Sequence, residues 1–427
     1  MAKILLSAYA CRPNAGSEPG VGWNFAQRVA GSHHDVWVVT RADNRESIEQ
    51  WRRENPSVLK NLHFVYHDVS RWVHLLFPGN AGNQVRYMFW QSTLLRTVRP
   101  LHEEVDFDVA QHITYVRYWT ASRLVKLPGV PFIWGPVGGA ESAPKAFKSG
   151  LGFKGRVIEF VREAARKIAE LDPRVHTVAS RAALSIATTE ETAERLRAMG
   201  ATHVLKMPEA GLPREEIEAL LAPEPAPTEP FAFISMARLL YWKGFHLGLA
   251  AFAQAKLPNA RYVIVGDGSE MPRLKADAQR LGIASQVEFV GRLPRSGTMA
   301  RLARCHVLVH PSLHDSGGWV CLEAMASGRP VICLDLGGPA TQVTDATGFR
   351  IHAGTPEQAI FDMASAMRRL HDDPHLRRRM SDAGPKRVME AFCWDEKVRR
   401  MNQIYAELMA GERDTPDART PIVTPTL

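Results

Sequence analysis

Short apolar runs recur along the chain, each followed by a stretch with helical spacing of apolar positions. In the first half the runs are Lys3–Ala8, Val36–Thr40, His63–Tyr66, Val109–His112 and Phe132–Trp134. They do not alternate apolar with polar residues, as expected of strands buried on both faces. At Ala222–Pro230 four prolines fall in nine residues, which excludes helix and central strand and marks a semi-rigid linker. The rhythm then restarts with Phe231–Met236, Tyr262–Val265, Val287–Val290, Val307–His310 and Val331–Leu334, with helical spacing at Gly244–Ala255, Pro356–Leu370 and Trp394–Met409. Strands alternating with helices imply right-handed βαβ units and parallel sheets. The pattern predicts an α/β protein of two doubly wound, Rossmann-like domains, 1–221 and 231–393, joined by the 222–230 linker. The polar, proline-bearing tail 412–427 is expected to be disordered.

Length agrees with two domains, since 427 residues exceed what one hydrophobic core serves. No run of about 18 apolar residues occurs to cross a membrane. The N-terminal Met1–Ala10 resembles a signal peptide, but its apolar run is short and enters a glycine-rich loop, so it reads as a buried first strand. Five cysteines without metal-ligand spacing fit reduced thiols, and the expected location is the cytoplasm. An excess of 53 basic over 45 acidic residues favours a negatively charged partner: nucleic acid, anionic membrane or phosphorylated ligand. No recognition helix, RNA-binding motif or zinc module supports nucleic acid.

In doubly wound sheets ligands sit where strands end, so the strand-to-helix turns carry the chemistry. The first, Arg12–Trp23, holds Gly16, Gly20 and Gly22, which allow a phosphate or sugar to approach the backbone. Their spacing is not Gly-x-Gly-x-x-Gly, and a surface loop capped at Ser17 is the other reading. The second turn puts Arg238 and Lys243 five residues apart after a strand, where fixed cations would neutralise a diphosphate or stand as solvated loop charges. Val265-Gly-Asp-Gly268 and Val290-Gly-Arg-Leu293 put glycine directly after a strand, next to a nucleobase or in a plain tight turn. The richest segment is Val307–Leu334: strand, glycine turn, short helix, strand, with Asp315 and Glu323 eight positions apart. A helix start offers N–H groups to an anion, and a carboxylate accepts from hydroxyls. Asp315 or Ser316 also reads as an N-cap. Asp106-Phe-Asp108 imitates a metal-binding pair but sits at a strand start, which disfavours that role. His112, at the end of a strand, is either a core histidine or a cleft group.

In this order these elements resemble the GT-B glycosyltransferases, specifically the retaining enzymes of family 4. The likeness runs from Gly16–Trp23 to Phe392-Cys-Trp394. It includes Arg238 with Lys243-Gly244, the Glu-x7-Glu signature at Asp315 and Glu323, and Thr347-Gly-Phe349. Ala237 stands for a usual glycine, Asp315 for the first glutamate, and Gly317 where an aromatic is frequent. The resemblance implies two domains facing a central cleft, with 394–411 returning to the first domain. It implies that Glu323 holds the donor ribose, and that Asp315 with the Ser316, Gly317, Gly318 and Trp319 amides meets donor sugar and phosphates. Arg238 and Lys243 would stabilise the departing diphosphate, Gly291 and Arg292 flank the base, and Gly16 and His112 line the sugar site. No metal or cofactor is implied. The donor is a nucleotide-diphosphate sugar and the acceptor a glycan or lipid-diphosphate-linked glycan. Basic residues across 145–167, with Arg71–Pro78 and Arg86–Trp90, suggest peripheral binding to an anionic inner-membrane surface. A non-catalytic sugar-nucleotide-binding scaffold is the competing reading.

Overall fold

The computed structural model describes residues 1–56, 58, 60–79, 82–150, 163, 166–222 and 230–411. The proline run at 223–229, the tail 412–427 and most of the basic stretch 145–167 therefore lie outside the described residues. The described residues form two compact units: those within 1–140, 161–209 and 394–411 in the first, and those within 141–150 and 210–393 in the second.

The first unit is a parallel sheet in the order β3-β2-β1-β4-β5-β6-β7. Its strands are β1 (Lys3–Ala8), β2 (Asp35–Arg41), β3 (Leu62–His67), β4 (Val109–Thr114), β5 (Phe132–Val137), β6 (Leu184–Ala187) and β7 (Val204–Lys206). Ile4 of β1 pairs with Val36 on one side and Val109 on the other, so β1 lies at the centre. Leu5 and Leu6 are wholly buried on opposite faces, each burial contributing roughly 1.5–3 kcal/mol. Tyr9, just past β1, meets Tyr87 and Trp90 edge-on at 5.0 and 5.3 Å. The helix Trp394–Ala410 completes this unit. Its Tyr405 hydroxyl donates to Gln111 of β4, Arg28 pairs with Asp395 at 2.9 Å, and Lys397 Nζ donates to the Pro208 carbonyl at 2.5 Å.

The second unit is a parallel sheet in the order β10-β9-β8-β11-β12-β13. Its strands are β8 (Phe231–Met236), β9 (Ala260–Val265), β10 (Val287–Gly291), β11 (Val307–His310), β12 (Val331–Leu334) and β13 (Gly348–Ile351). Its core joins Phe233, Tyr262, Val309 and Ile332 of the sheet to Phe252 and Met367 of the helices Phe245–Ala255 and Pro356–Asp372. Thr355 starts the latter helix by accepting from the Gln358 N–H at 3.2 Å, a side-chain cap. The helix Arg214–Leu221 groups with this unit, although the expected boundary fell at 221. Strand order reverses between β1 and β4 in one sheet and between β8 and β11 in the other, which opens a crevice at the C-terminal strand ends.

The anticipated strands are present to within a residue or two at each end, except β5, which runs three residues past Trp134 to Val137. The sequence reading missed β6, β7 and β13, which run only 4, 3 and 4 residues. β11 and β12 are as short but open on unbroken apolar runs, whereas the missed strands are interrupted or ended by Ser185, Lys206, or Gly348 and Arg350.

Candidate active site

Two loops meet at the crevice of the second unit. One follows β8 and ends in the single 3-10 turn Tyr241–Lys243; the other follows β11 and runs from Pro311 to Gly318. Gly244 has φ +68, and a Cβ there would lie 1.9 Å from the Pro311 carbonyl oxygen. Only glycine permits that approach, which lets the Leu313 N–H donate to the Trp242 carbonyl at 2.8 Å. Lys243 and Asp315 are thereby brought together.

Lys243 Nζ donates to Asp315 Oδ2 at 2.5 Å. The same oxygen faces His310 Nε2 at 3.1 Å, and Oδ1 accepts the Gly318 N–H at 3.1 Å. An ionised carboxylate only accepts, so the His310 proton resides on Nε2. Burial alone would raise the Asp315 pKa, but the His310 hydrogen bond and the Lys243 ammonium outweigh it and hold the carboxyl well below the usual range. Burial lowers the His310 pKa, against the pull of Asp315. At neutral pH the cluster is thus one ammonium, one carboxylate and one neutral imidazole.

Gly318, at φ +56 and ψ +32, turns the chain into the helix Trp319–Ala326. The loop rests on the helix Gly337–Gln342: the Gly338 N–H donates to the Asp315 carbonyl at 2.8 Å, and Gln342 Nε2 donates to the Gly317 carbonyl at 2.5 Å. Ser316 and Trp319 are half-buried, and Gly317 is buried. Along the helix, Glu323 is 3% exposed. Its Oε1 accepts from Arg295 Nη1 at 2.5 Å, and Arg295 Nη2 also donates to Glu216. Burial raises the Glu323 pKa, while Arg295 opposes the rise. Gly291 closes β10 with φ +79, Arg292 follows it exposed, and Arg238 is exposed after β8. Among the described residues Arg238 has no ion-pair partner.

The other two predicted residues belong to the first unit. Gly16 is exposed at the start of the helix Ser17–Gly31, where no side chain caps the helix. Gly20 and Gly22 serve the chain's own packing, because a Cβ on either would lie 2.1 or 2.2 Å from the Ala15 or Ala10 carbonyl oxygen. His112 is fully buried, with Nε2 3.2 Å from the Tyr87 hydroxyl and 3.1 Å from Gln91 Nε2. Burial pushes its pKa down to about 3, although the Thr114 backbone opposes the shift. His112 is therefore a neutral histidine enclosed by the helix Asn83–Thr93, not a side chain open at a strand end. Asp108 accepts the Lys3 N–H at 2.7 Å, and Asp106 is the left-handed residue ending the helix Leu95–Val105, so that pair has a structural role. Among the described residues no cluster of three or more His, Cys, Asp or Glu would hold a metal ion, and no helix is long and apolar enough to cross a membrane.

Sequence reasoning missed His310 and Arg295. His310 ends β11 five residues before Asp315 and was visible as a polar residue closing an apolar strand. Arg295 lies 28 residues from Glu323 and 79 from Glu216, and no local pattern links those positions.

Residues 216–387 match the family model described as "Glycosyl transferases group 1". The glycogen synthase of Mycobacterium tuberculosis is 30% identical over 199 residues, 46% of this chain and 47% of that protein. The chain thus spans about half the length of the curated relatives it matches. Sucrose-phosphate synthase from Thermosynechococcus elongatus superposes with a TM-score of 0.66 at 19% identity, over 96% of this chain and 100% of that one. Anabaena HepE, solved in complex with UDP and glucose, gives a TM-score of 0.56 at 18% identity, over 96% and 100% of the two chains. The two doubly wound units are the GT-B architecture.

Proposed function

We propose that the chain transfers a sugar from a nucleotide-diphosphate donor to a glycan or lipid-diphosphate-linked acceptor, retaining anomeric configuration as family 4 enzymes do. The observation that carries this reading is the Lys243–Asp315–His310 cluster beside a helix start and a buried glutamate, at the switch point of the sheet inside the matched segment. The UDP bound by HepE supports a nucleotide-sugar donor.

The donor diphosphate lies against Lys243, Arg238 and the backbone of Ser316, Gly317, Gly318 and Trp319. A leaving group that gains negative charge in the transition state is served best by cations and N–H dipoles already in place. Asp315 fixes the position of the Lys243 side chain. Lys243 and His310 occupy Oδ2, while Oδ1, with the Gly318 N–H on it, keeps an acceptor position for a hydroxyl of the donor sugar. Glu323 offers the oxygen not engaged by Arg295 to a ribose hydroxyl, and Gly291 with Arg292 flanks the base. His112 supports the strand end from beneath and transfers no proton. A front-face displacement, in which a donor phosphate oxygen assists acceptor deprotonation, requires no protein nucleophile or metal. The acceptor meets the first unit near the Gly16 loop, at the cytoplasmic face of the membrane.

A transfer and donor-hydrolysis assay across UDP-, GDP- and ADP-sugars tests this. Activity with one donor, lost in Lys243→Ala and Glu323→Ala, supports the enzyme. Full activity in both variants refutes the assignment. Saturable donor binding with neither transfer nor hydrolysis would favour the scaffold, a reading supported by the Arg295 contact already on Glu323.

A further inference from the structure

Between Asp68 and Glu103 the chain has arginines at 71, 86, 96 and 99, histidines at 74 and 102, and no acidic residue. The helices Arg71–Leu76 and Asn83–Thr93 fall inside this segment. The second buries Tyr87, Trp90 and Gln91 against the sheet and leaves Met88 and Phe89 outside, 56% and 45% exposed. The first buries nothing: Trp72, Leu75 and Leu76 are 73%, 62% and 71% exposed. Five of the thirteen exposed large apolar side chains among the described residues thus fall between Trp72 and Phe89.

The two helices form one surface. The Phe77 and Phe89 rings lie 6.4 Å apart, and Arg86 donates to the Phe77 and Gly79 carbonyls at 2.5 and 2.9 Å. Behind them is a cavity of about 210 Å³ whose walls include Tyr9, Arg41, His74, Arg86 and Trp90. Asp43 pairs with Arg41 at 3.1 Å, and Asp68 Oδ1 lies 3.0 Å from His74 Nε2. Arg86, also in the lining, donates to the Phe77 and Gly79 carbonyls and to no carboxylate among the described residues.

We propose that the helices Arg71–Leu76 and Asn83–Thr93 dock this protein on an anionic lipid bilayer. Trp72, Leu75, Leu76, Met88 and Phe89 enter the headgroup–acyl boundary. The exposed arginines Arg71, Arg96 and Arg99 meet lipid phosphates, and Arg86 faces a headgroup admitted to the cavity. An apolar patch on an arginine-bearing segment free of carboxylates is the composition of an interfacial anchor. Charge complementarity selects the occupant, because a second copy would bring arginine against arginine, whereas an anionic surface neutralises them. The inference is independent of sugar transfer and does not fail with it.

The test uses the full chain in flotation with phosphatidylcholine vesicles, with and without phosphatidylglycerol. Binding only with phosphatidylglycerol is expected, with tryptophan emission quenched by brominated acyl chains. Trp72→Ser with Leu76→Ser, and separately Arg71→Gln with Arg96→Gln, should each weaken binding by about tenfold or more. All four side chains are exposed, so an unchanged melting midpoint is the check on folding. Phe361→Ser, at an exposed site in the second unit, should bind as the parent does. Equal binding to neutral vesicles, no binding to either kind, or variants that bind like the parent would overturn the proposal. So would a dimer in light scattering that Trp72→Ser dissolves, which would make the patch a self-association surface.

Discussion

Replacing Asp315 with asparagine removes one negative charge and turns one acceptor oxygen into an amide donor. Three donors converge on the native carboxylate: Lys243 Nζ at 2.5 Å, His310 Nε2 at 3.1 Å and the Gly318 N–H at 3.1 Å. Lys243 and His310 share Oδ2, so asparagine either places its oxygen there and turns its amide on the Gly318 N–H, or keeps Gly318 and turns its amide on the other two. The side chains of Lys243 and Asp315 are only 18% and 17% exposed. Breaking a buried ion pair from one side costs about 3–5 kcal/mol, and the residual exposure places this case near about 3. At about 2–4 °C per kcal/mol for a unit of this size, the second unit should melt about 6–12 °C lower. The pH dependence follows from the depressed Asp315 pKa. Its stabilisation is fully present above the unfolded carboxylate value near 3.8 and is lost as pH falls through the lower folded value. The gap between parent and Asp315→Asn should therefore stay constant from about pH 8 to pH 5. Differential scanning calorimetry across that range measures it. A gap under about 2 °C at pH 7 would refute the ion-pair argument. A gap that narrows near pH 6.5 would show that His310, not Asp315, is the titrating partner.

Three further outcomes can be measured. Arg295→Gln leaves buried Glu323 without its cation, so donor KM should rise about tenfold at pH 7, with the acid limb of kcat/KM moved upward and kcat nearly unchanged; an unaltered pH profile would remove Arg295 from the site. Gly244→Ala drives a methyl into the Pro311 carbonyl at a positive φ, so the second unit should lose about 2 kcal/mol or more, and donor binding should weaken as Lys243 separates from Asp315; a parent-like midpoint would refute the close approach. Burial lowers the Lys397 pKa to about 7, while Glu209 opposes the shift. Between that value and the unfolded lysine near 10.4 the unfolded chain binds more protons, so stability should rise with pH by up to about 1.4 kcal/mol per unit, and this slope should vanish in Lys397→Met.

What the sequence disclosed follows from how far each interaction reaches. β1 and β8 were legible because central parallel strands are buried on both faces and must be apolar throughout. The Lys243 and Asp315 turns were legible because each directly follows such a strand. Their mutual bond was not, since 72 residues separate them and a glycine contact with Pro311 brings them together. His112 was read as the end of a strand, but β4 runs on to Thr114, and the helix that covers His112 carries Tyr87 and Gln91, 25 and 21 residues away. Gly20 and Gly22 looked like space for a ligand, and the chain's own carbonyls fill that space. Glycine spacing alone does not say whose atoms come close.

The helix Trp394–Ala410 belongs to the unit that begins at Met1, while Ala210–Cys393 between them build the other. On a ribosome this fixes an order of events. The first unit must wait, with Gln111 lacking Tyr405 and Arg28 lacking Asp395, until the helix Trp394–Ala410 has been made. The second unit has most of its residues in one uninterrupted stretch and can close while its neighbour is still open. Maturation therefore runs against the direction of synthesis. A nascent chain stalled near Cys393 would present a finished second unit and an unfinished first unit to the chaperones and proteases of the cell.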